Sequence, residues 1–292
     1  MISRQQLIDV YRQACEAELQ AFKPGNVSVY SAGHDMEVED FRISFRVSSG
    51  PITNPAYTLG EKIYYAVKQT RDAVGCNTNL GIILLCAPLL QVAASLTQGQ
   101  SLRNKLSNLL ASTTRQDADW VFKAITLAAP GGLGDSDEAD VKQEASVTLT
   151  EAMEIASSKD RIAYQYISNY KDIFDFTVLL YNNNFAKFGD QNWAALAVYA
   201  GMLTRHADSH IERKYGPRYS AWVASEMEKV HQALLTTRHP ESLVSMLEGI
   251  DAGFKEKGIN PGTTADITVA TVLVVLLEQL INGASVDRAT RN

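Results

Sequence analysis

Residues 260–281 read NPGTTADITVATVLVVLLEQLI. Asn-Pro-Gly marks a turn, and the apolar run after it lacks the strict alternation of a half-buried strand. The segment therefore predicts a buried helix ending near Ile281. Thr263 and Asp266 stand three apart, as in a capping box with Asp in place of Glu. The longest apolar runs, 82–90 and 267–277, are too short or too interrupted by Thr to span a bilayer, which takes about 20 residues. This leaves a soluble core helix as the expectation.

Working outward, the same helical spacing recurs along the chain. In 4–22, Leu7, Val10, Tyr11, Ala14, Ala17 and Ala21 make one stripe and Asp9, Arg12, Glu16 and Gln20 the other. Pro24-Gly25 stops that helix, and a polar loop runs through 23–38. Asp40 can open a further helix. Helices are predicted over 56–74, with Gly75 as the stop, and over 79–97. Further helices are expected over 117–128, 140–156, 161–180, 193–206, 220–236 and 240–257. No hairpin-bounded strands and no internal repeat emerge. The expected fold is all-α, one large domain of roughly ten or more helices over 1–282, with 283–292 a polar C-terminal tail.

The 292 residues are 46% hydrophobic and 21% charged, with a net charge of −6. That composition is globular. An acidic surface argues against nucleic acid as a partner but leaves room for a nucleotide site, which needs only local cations, amides or a metal. Cys15, Cys76 and Cys86 are odd in number and widely spaced, which fits buried thiols in a reducing compartment. The first residues lack the apolar core of a signal peptide. The expectation is a cytoplasmic protein with no membrane partner, and self-association into a homo-oligomer stays open.

Several segments can carry chemistry. In KPGNVSVYS (23–31), Gly25 allows close backbone approach, while Lys23, Asn26, Ser28 and Ser31 supply a cation and hydrogen-bonding groups suited to phosphate. A plain interhelical loop is the competing explanation. His34, Asp35, Glu37, Glu39 and Asp40 follow closely, and such carboxylates suit Mg²⁺ together with substrate phosphates; they equally suit a solvated acidic face. Asn77-Thr78-Asn79 opens a helix, where free amides favour anions, or simply caps it. Asp266 is either a cap or a metal ligand. His206 and His210 flank Asp208, but the zinc-protease pattern HEXXH is absent. PGGLG (130–134) lacks the ending of a phosphate-binding P-loop, and no nucleophile elbow is present.

In order, KPGNVS (23–28) with Ser31, HDMEVEDF (34–41) with Ser44, NTNLG (77–81) and NPGTTAD (260–266) resemble the triphosphoribosyl-dephospho-CoA synthase family, with DSHIERKYG (208–216) a drifted fifth segment. The resemblance implies an all-helical enzyme. It further implies transfer of a ribosyl group from ATP, a nucleotide triphosphate donor, to a hydroxyl acceptor, with loss of adenine. An oxocarbenium-like transition state follows. By this resemblance Lys23, Gly25, Asn26, Ser28, Ser31, Asn77, Thr78, Asn79, Arg161 and Gly262 bind substrate. His34 is the candidate proton carrier. Asp35, Asp40, Asp208 and Asp266 hold Mg²⁺, and Asp40, Asp208 and Asp266 are also candidates for steadying charge at the reacting carbon.

The chain departs from the family pattern in three places. Asn79-Leu80 replaces a His-Lys pair. The family's Arg-Gly-Glu-Ala has its best counterpart in Lys159-Asp160-Arg161-Ile162-Ala163. Asp208-Ser209-His210 replaces Asp-Thr-Asn. The variant pattern resembles homologues of methanogens and methylotrophs, which implies a cofactor-precursor acceptor in tetrahydromethanopterin-type synthesis. A Mg-dependent nucleotide hydrolase or kinase on the same scaffold, or a non-catalytic helical partner protein, are the competing functions.

Overall fold

The computed structural model describes residues 2–30, 36–97, 99–129 and 144–289. The helices run α1 Arg4–Gln20, α2 Val38–Ile52, α3 Leu59–Val74, α4 Leu80–Ser95, α5 Leu102–Ala111, α6 Arg115–Ala128, α7 Leu149–Ala156 and α8 Arg161–Ile167. A π-helical turn, Ile173–Thr177, leads into α9 Val178–Phe188 and α10 Gln191–Arg205. Then come α11 Ser209–Tyr215, α12 Ser220–Thr236, α13 Val244–Glu256 and α14 Gly262–Ala289. The fold is all-α, with no sheet among the described residues.

Two helices form the centre. α4 is buried along nearly its whole length, from Leu80 to Ala93, as an all-round apolar helix must be. It packs on α14, which also meets α1 and α10. One apolar cluster gathers α1, α3, α4, α6, α8 and most of α14. A second, built on α10, α12 and α13, takes in Ala265 at the start of α14. The beginning of α14 therefore lies where the two clusters meet.

Several boundaries differ from expectation, each for a local reason. Of the helix expected over 140–156, residues 140–143 lie outside the described residues and 144–148 are not helical; α7 starts at Leu149, because Thr148 and Glu151 form a capping box. Ahead of it the backbone is tied sideways: the Ala145 amide donates to Asp119 and the Leu149 amide to the Thr114 carbonyl. The run expected over 161–180 breaks between α8 and the π turn, where Asn169 and Tyr170 both take φ +55°. α5 and α11 were not predicted as helices. The final helix continues past Ile281 to Ala289.

α14 also corrects the expectation about membranes. Gly262–Gly283 is long and apolar enough to cross a bilayer, yet 67% of the window is buried within the fold. Its threonines do not interrupt it: Thr268 and Thr271 donate their hydroxyls to the carbonyls one turn back.

Candidate active site

The KPGN loop is held from within. Lys23 is fully buried, and its ammonium lies 3.0 Å from the Glu18 carboxylate and donates to the carbonyls of Glu18, Ala21 and Val27. Burial lowers the Lys23 pKa while Glu18 opposes the shift. Gly25 takes φ +82°, and a side chain there would strike Phe254 and the Ile259 carbonyl. Its amide donates to Asp251 at 2.8 Å. Tyr199 donates to the Pro24 carbonyl, and the Asn26 amide group donates to Asn260 at 2.8 Å. Ser28 is buried and accepts from the Tyr30 amide. The loop thus braces α1, α10, α13 and the turn before α14, and the Lys23 charge is occupied by Glu18.

Four helix starts meet beside it. Asp208, the N-cap of α11, accepts the His210 and Ile211 amides at Oδ1. At Oδ2 it accepts the Thr264 amide and hydroxyl, at 2.8 and 2.7 Å. The cap of α14 therefore comes from another helix, not from a Thr263–Asp266 box. The Arg161 amide donates to Ser209 at 2.8 Å, and Arg213 pairs with Asp160, the N-cap of α8. The start of α4 closes the group: a Cβ on Gly81 would overlap the Asp266 carboxylate and touch Ile162.

Asp266 stands at the middle of these four starts. It is only partly exposed, and among the described residues it has no hydrogen-bond or ion-pair partner. Burial pushes its pKa well above the ordinary carboxylate range. The negative charges of Glu18, Asp208 and Asp160 push the same way, and Arg213 opposes them. The carboxyl is partly exposed yet strongly desolvated, and the ground it occupies between the four helix starts is the candidate recess. Two buried polar atoms on these elements, Arg213 Nε and Thr263 Oγ1, have no hydrogen-bond partner among the described residues. Buried polar groups are normally satisfied, which makes these atoms, with Asp266, candidates for contact with a polar ligand.

The remaining sites lie farther along the same surfaces. Asp40 accepts the Glu37 amide in the capping box of α2. It is near Cys76, whose thiol is pushed up first by burial and then by the Asp40 charge. Thr78 donates to Ser44 at 2.5 Å, Asn77 accepts the Leu80 amide, and Asn79 donates to Ser48. α4 joins this group to the recess, since Asn77 and Thr78 precede it and Gly81 meets Asp266. Arg161 is held bidentately by Asp172 at 2.7 and 2.8 Å and contacts His206 at 3.2 Å. Gly262 sits against the His210 ring. Ser31, His34 and Asp35 lie outside the described residues.

Of the four acids expected to hold Mg²⁺, Asp35, Asp40, Asp208 and Asp266, the first lies outside the described residues. Asp208 has both oxygens occupied, and Asp40 accepts the Glu37 amide in the α2 cap. Among the described residues no cluster of three or more His, Cys, Asp or Glu is arranged to hold a metal.

Two contributors were not anticipated from sequence. Glu18 lies on the apolar stripe of α1, four residues after Ala14 and seven after Tyr11, and that placement was a legible signal. The Asp160–Arg213 pair joins residues far apart in sequence, and no local pattern announces it.

The family model described as CitG, ATP:dephospho-CoA triphosphoribosyl transferase, matches residues 4–285. A crystal structure of a provisionally assigned triphosphoribosyl-dephospho-CoA synthase from Archaeoglobus fulgidus has a similar fold. Its TM-score is 0.58 at 21% identity, covering 82% of this chain and 94% of that one. No curated protein matches the sequence.

Proposed function

Because the chain belongs to the CitG family of ATP:dephospho-CoA triphosphoribosyl transferases, we propose that it moves a phosphorylated ribosyl group from ATP or a similar nucleotide to a hydroxyl acceptor, releasing the base. The observation that carries this is the recess around Asp266. An acid without a hydrogen-bond or ion-pair partner among the described residues stands where the starts of α4 and α14 meet, and helix N-termini favour negative charge there.

Asp266 is assigned the proton. In the reaction the bond from ribose C1 to the base nitrogen breaks, the acceptor hydroxyl oxygen bonds to C1, and the hydroxyl proton is released. A carboxyl held neutral by burial donates a proton to the departing base. The carboxylate left behind then faces the positive charge at C1. The donor's phosphates lie toward the helix starts. Lys23, Arg161 and Arg213 are already paired with acids, so the phosphates are proposed to enter as their Mg²⁺ chelate, with the metal carried by the substrate.

The acceptor is proposed to be a cofactor precursor of the tetrahydromethanopterin type. Support comes from Asn79 and Leu80, which stand where relatives carry a charged pair. Here both are buried, Leu80 within the main apolar cluster, so no charge from these positions meets an acceptor. A cytoplasmic setting is part of the same proposal.

The test is product analysis with Mg-ATP and candidate acceptors. Free adenine and a ribosylated product are expected. ADP or AMP instead would indicate a hydrolase or kinase, and no nucleotide binding a non-catalytic protein. Asp266→Asn is expected to slow base release about 10²–10⁴-fold. Base release by the wild type should decline as pH rises through the raised Asp266 pKa, because the donating form is the protonated one.

A further inference from the structure

α11 touches the starts of both α8 and α14. Its Asp208 caps α14 through Thr264, and the His210 ring lies against Gly262. Its Ser209 accepts the Arg161 amide, and its Arg213 pairs with Asp160, so the start of α8 is held at two points. Seven residues therefore tie together two helix starts that lie about a hundred positions apart in sequence.

We propose that Asp208 is a positioning residue and not a metal ligand: a buried double cap by which α11 sets the start of α14, and hence Asp266, against α4 and α8. Four donors converge on its two oxygens. A carboxylate offers about four lone-pair sites, and all are used. A cation at Asp208 would have to displace the amides that cap two helices. Asp208 is 3% exposed, so water cannot replace those amides' lost partner. The assignment of Asp266 as the residue being positioned rests on the proposed function; the double cap itself does not.

The two roles predict opposite signs. Neutralising an acid in an empty metal site relieves repulsion and stabilises the metal-free protein. Removing a double cap exposes four donors to a dry interior and destabilises it. Asp208→Ser separates them cleanly, since serine still caps α11 but cannot reach α14 as well. Thr264→Val removes one of the four donors with little change of shape and serves if the serine variant fails to fold.

Thermal unfolding is followed without metal and then with MgCl₂ alone. Asp208→Ser is expected to lower the metal-free Tm by about 4–8 °C, and Thr264→Val by less. Any Tm shift caused by MgCl₂ should be the same in wild type and variants. A raised or unchanged metal-free Tm in both variants, or a MgCl₂ shift seen in wild type and lost in Asp208→Ser, would overturn the proposal. In a protein active with Mg-ATP, Asp208→Ser should lower kcat at least tenfold while the Mg²⁺ concentration for half-maximal rate stays within about twofold of wild type. A tenfold rise in that concentration would also overturn it. Should no substrate react at all, the proposed function fails, while the unfolding results still decide the role of Asp208.

Discussion

Two buried charges near the recess respond to substitution in opposite ways. Lys23 and Glu18 form a nearly water-free pair. Lys23→Met leaves Glu18 alone in the core and is expected to cost about 3–5 kcal/mol. Glu18→Gln combined with Lys23→Met should recover part of that loss, as chemical denaturation of the single and double variants will reveal. Asp266 has no hydrogen-bond or ion-pair partner to lose among the described residues. Its folded pKa lies above the unfolded one, so its stability penalty is absent below the unfolded value and grows until pH passes the folded value. Asp266→Asn is therefore expected to raise stability at neutral pH while slowing base release about 10²–10⁴-fold. A fall in stability at neutral pH would contradict the desolvated carboxyl. Gly81 is the third sensitive position, because Gly81→Ala drives a methyl group into the Asp266 carboxylate.

At the scale of elements, the kinship of α4 and α8 explains a break that periodicity could not foresee. Pro88 lies inside α4 and has no amide hydrogen, so the Leu84 carbonyl loses its normal partner one turn on. Tyr166 of α8 donates to that carbonyl at 2.7 Å, and Tyr170 donates to Leu85 at 3.0 Å. Both tyrosines are buried, and burial pushes their pKa values up. Seating Tyr170 there requires the left-handed backbone at Asn169 and Tyr170 that ends α8. Tyr166→Phe strands a buried acceptor and is expected to destabilise by about 1–3 kcal/mol in urea unfolding. The helix-forming residues of 161–180 were legible in the sequence. The interruption was not, since its cause sits some eighty positions earlier.

Across the whole molecule, α14 carries the most ambiguous segment of the sequence. By composition it passes for a membrane span; by packing it is a core helix lined by α1, α4 and α10. Burying that face removes the incentive to enter lipid. The folded protein is accordingly expected to stay in the supernatant when mixed with anionic vesicles and centrifuged, and pelleting with them would contradict it.

The helical class, most helix positions, the family's ordered segments and the candidate acids are legible in the amino-acid sequence. Those features rest on local periodicity, turns and caps, which a chain carries wherever it goes. Only the tertiary structure decided what each charged group faces. Lys23 looked like a free phosphate cation and is paired with Glu18. Asp208 and Asp266 looked alike, yet among the described residues one has four donors and the other none. That difference depends on which helices meet, and helix contacts between residues 81, 160, 208, 213 and 266 are long-range packing events that no local pattern encodes.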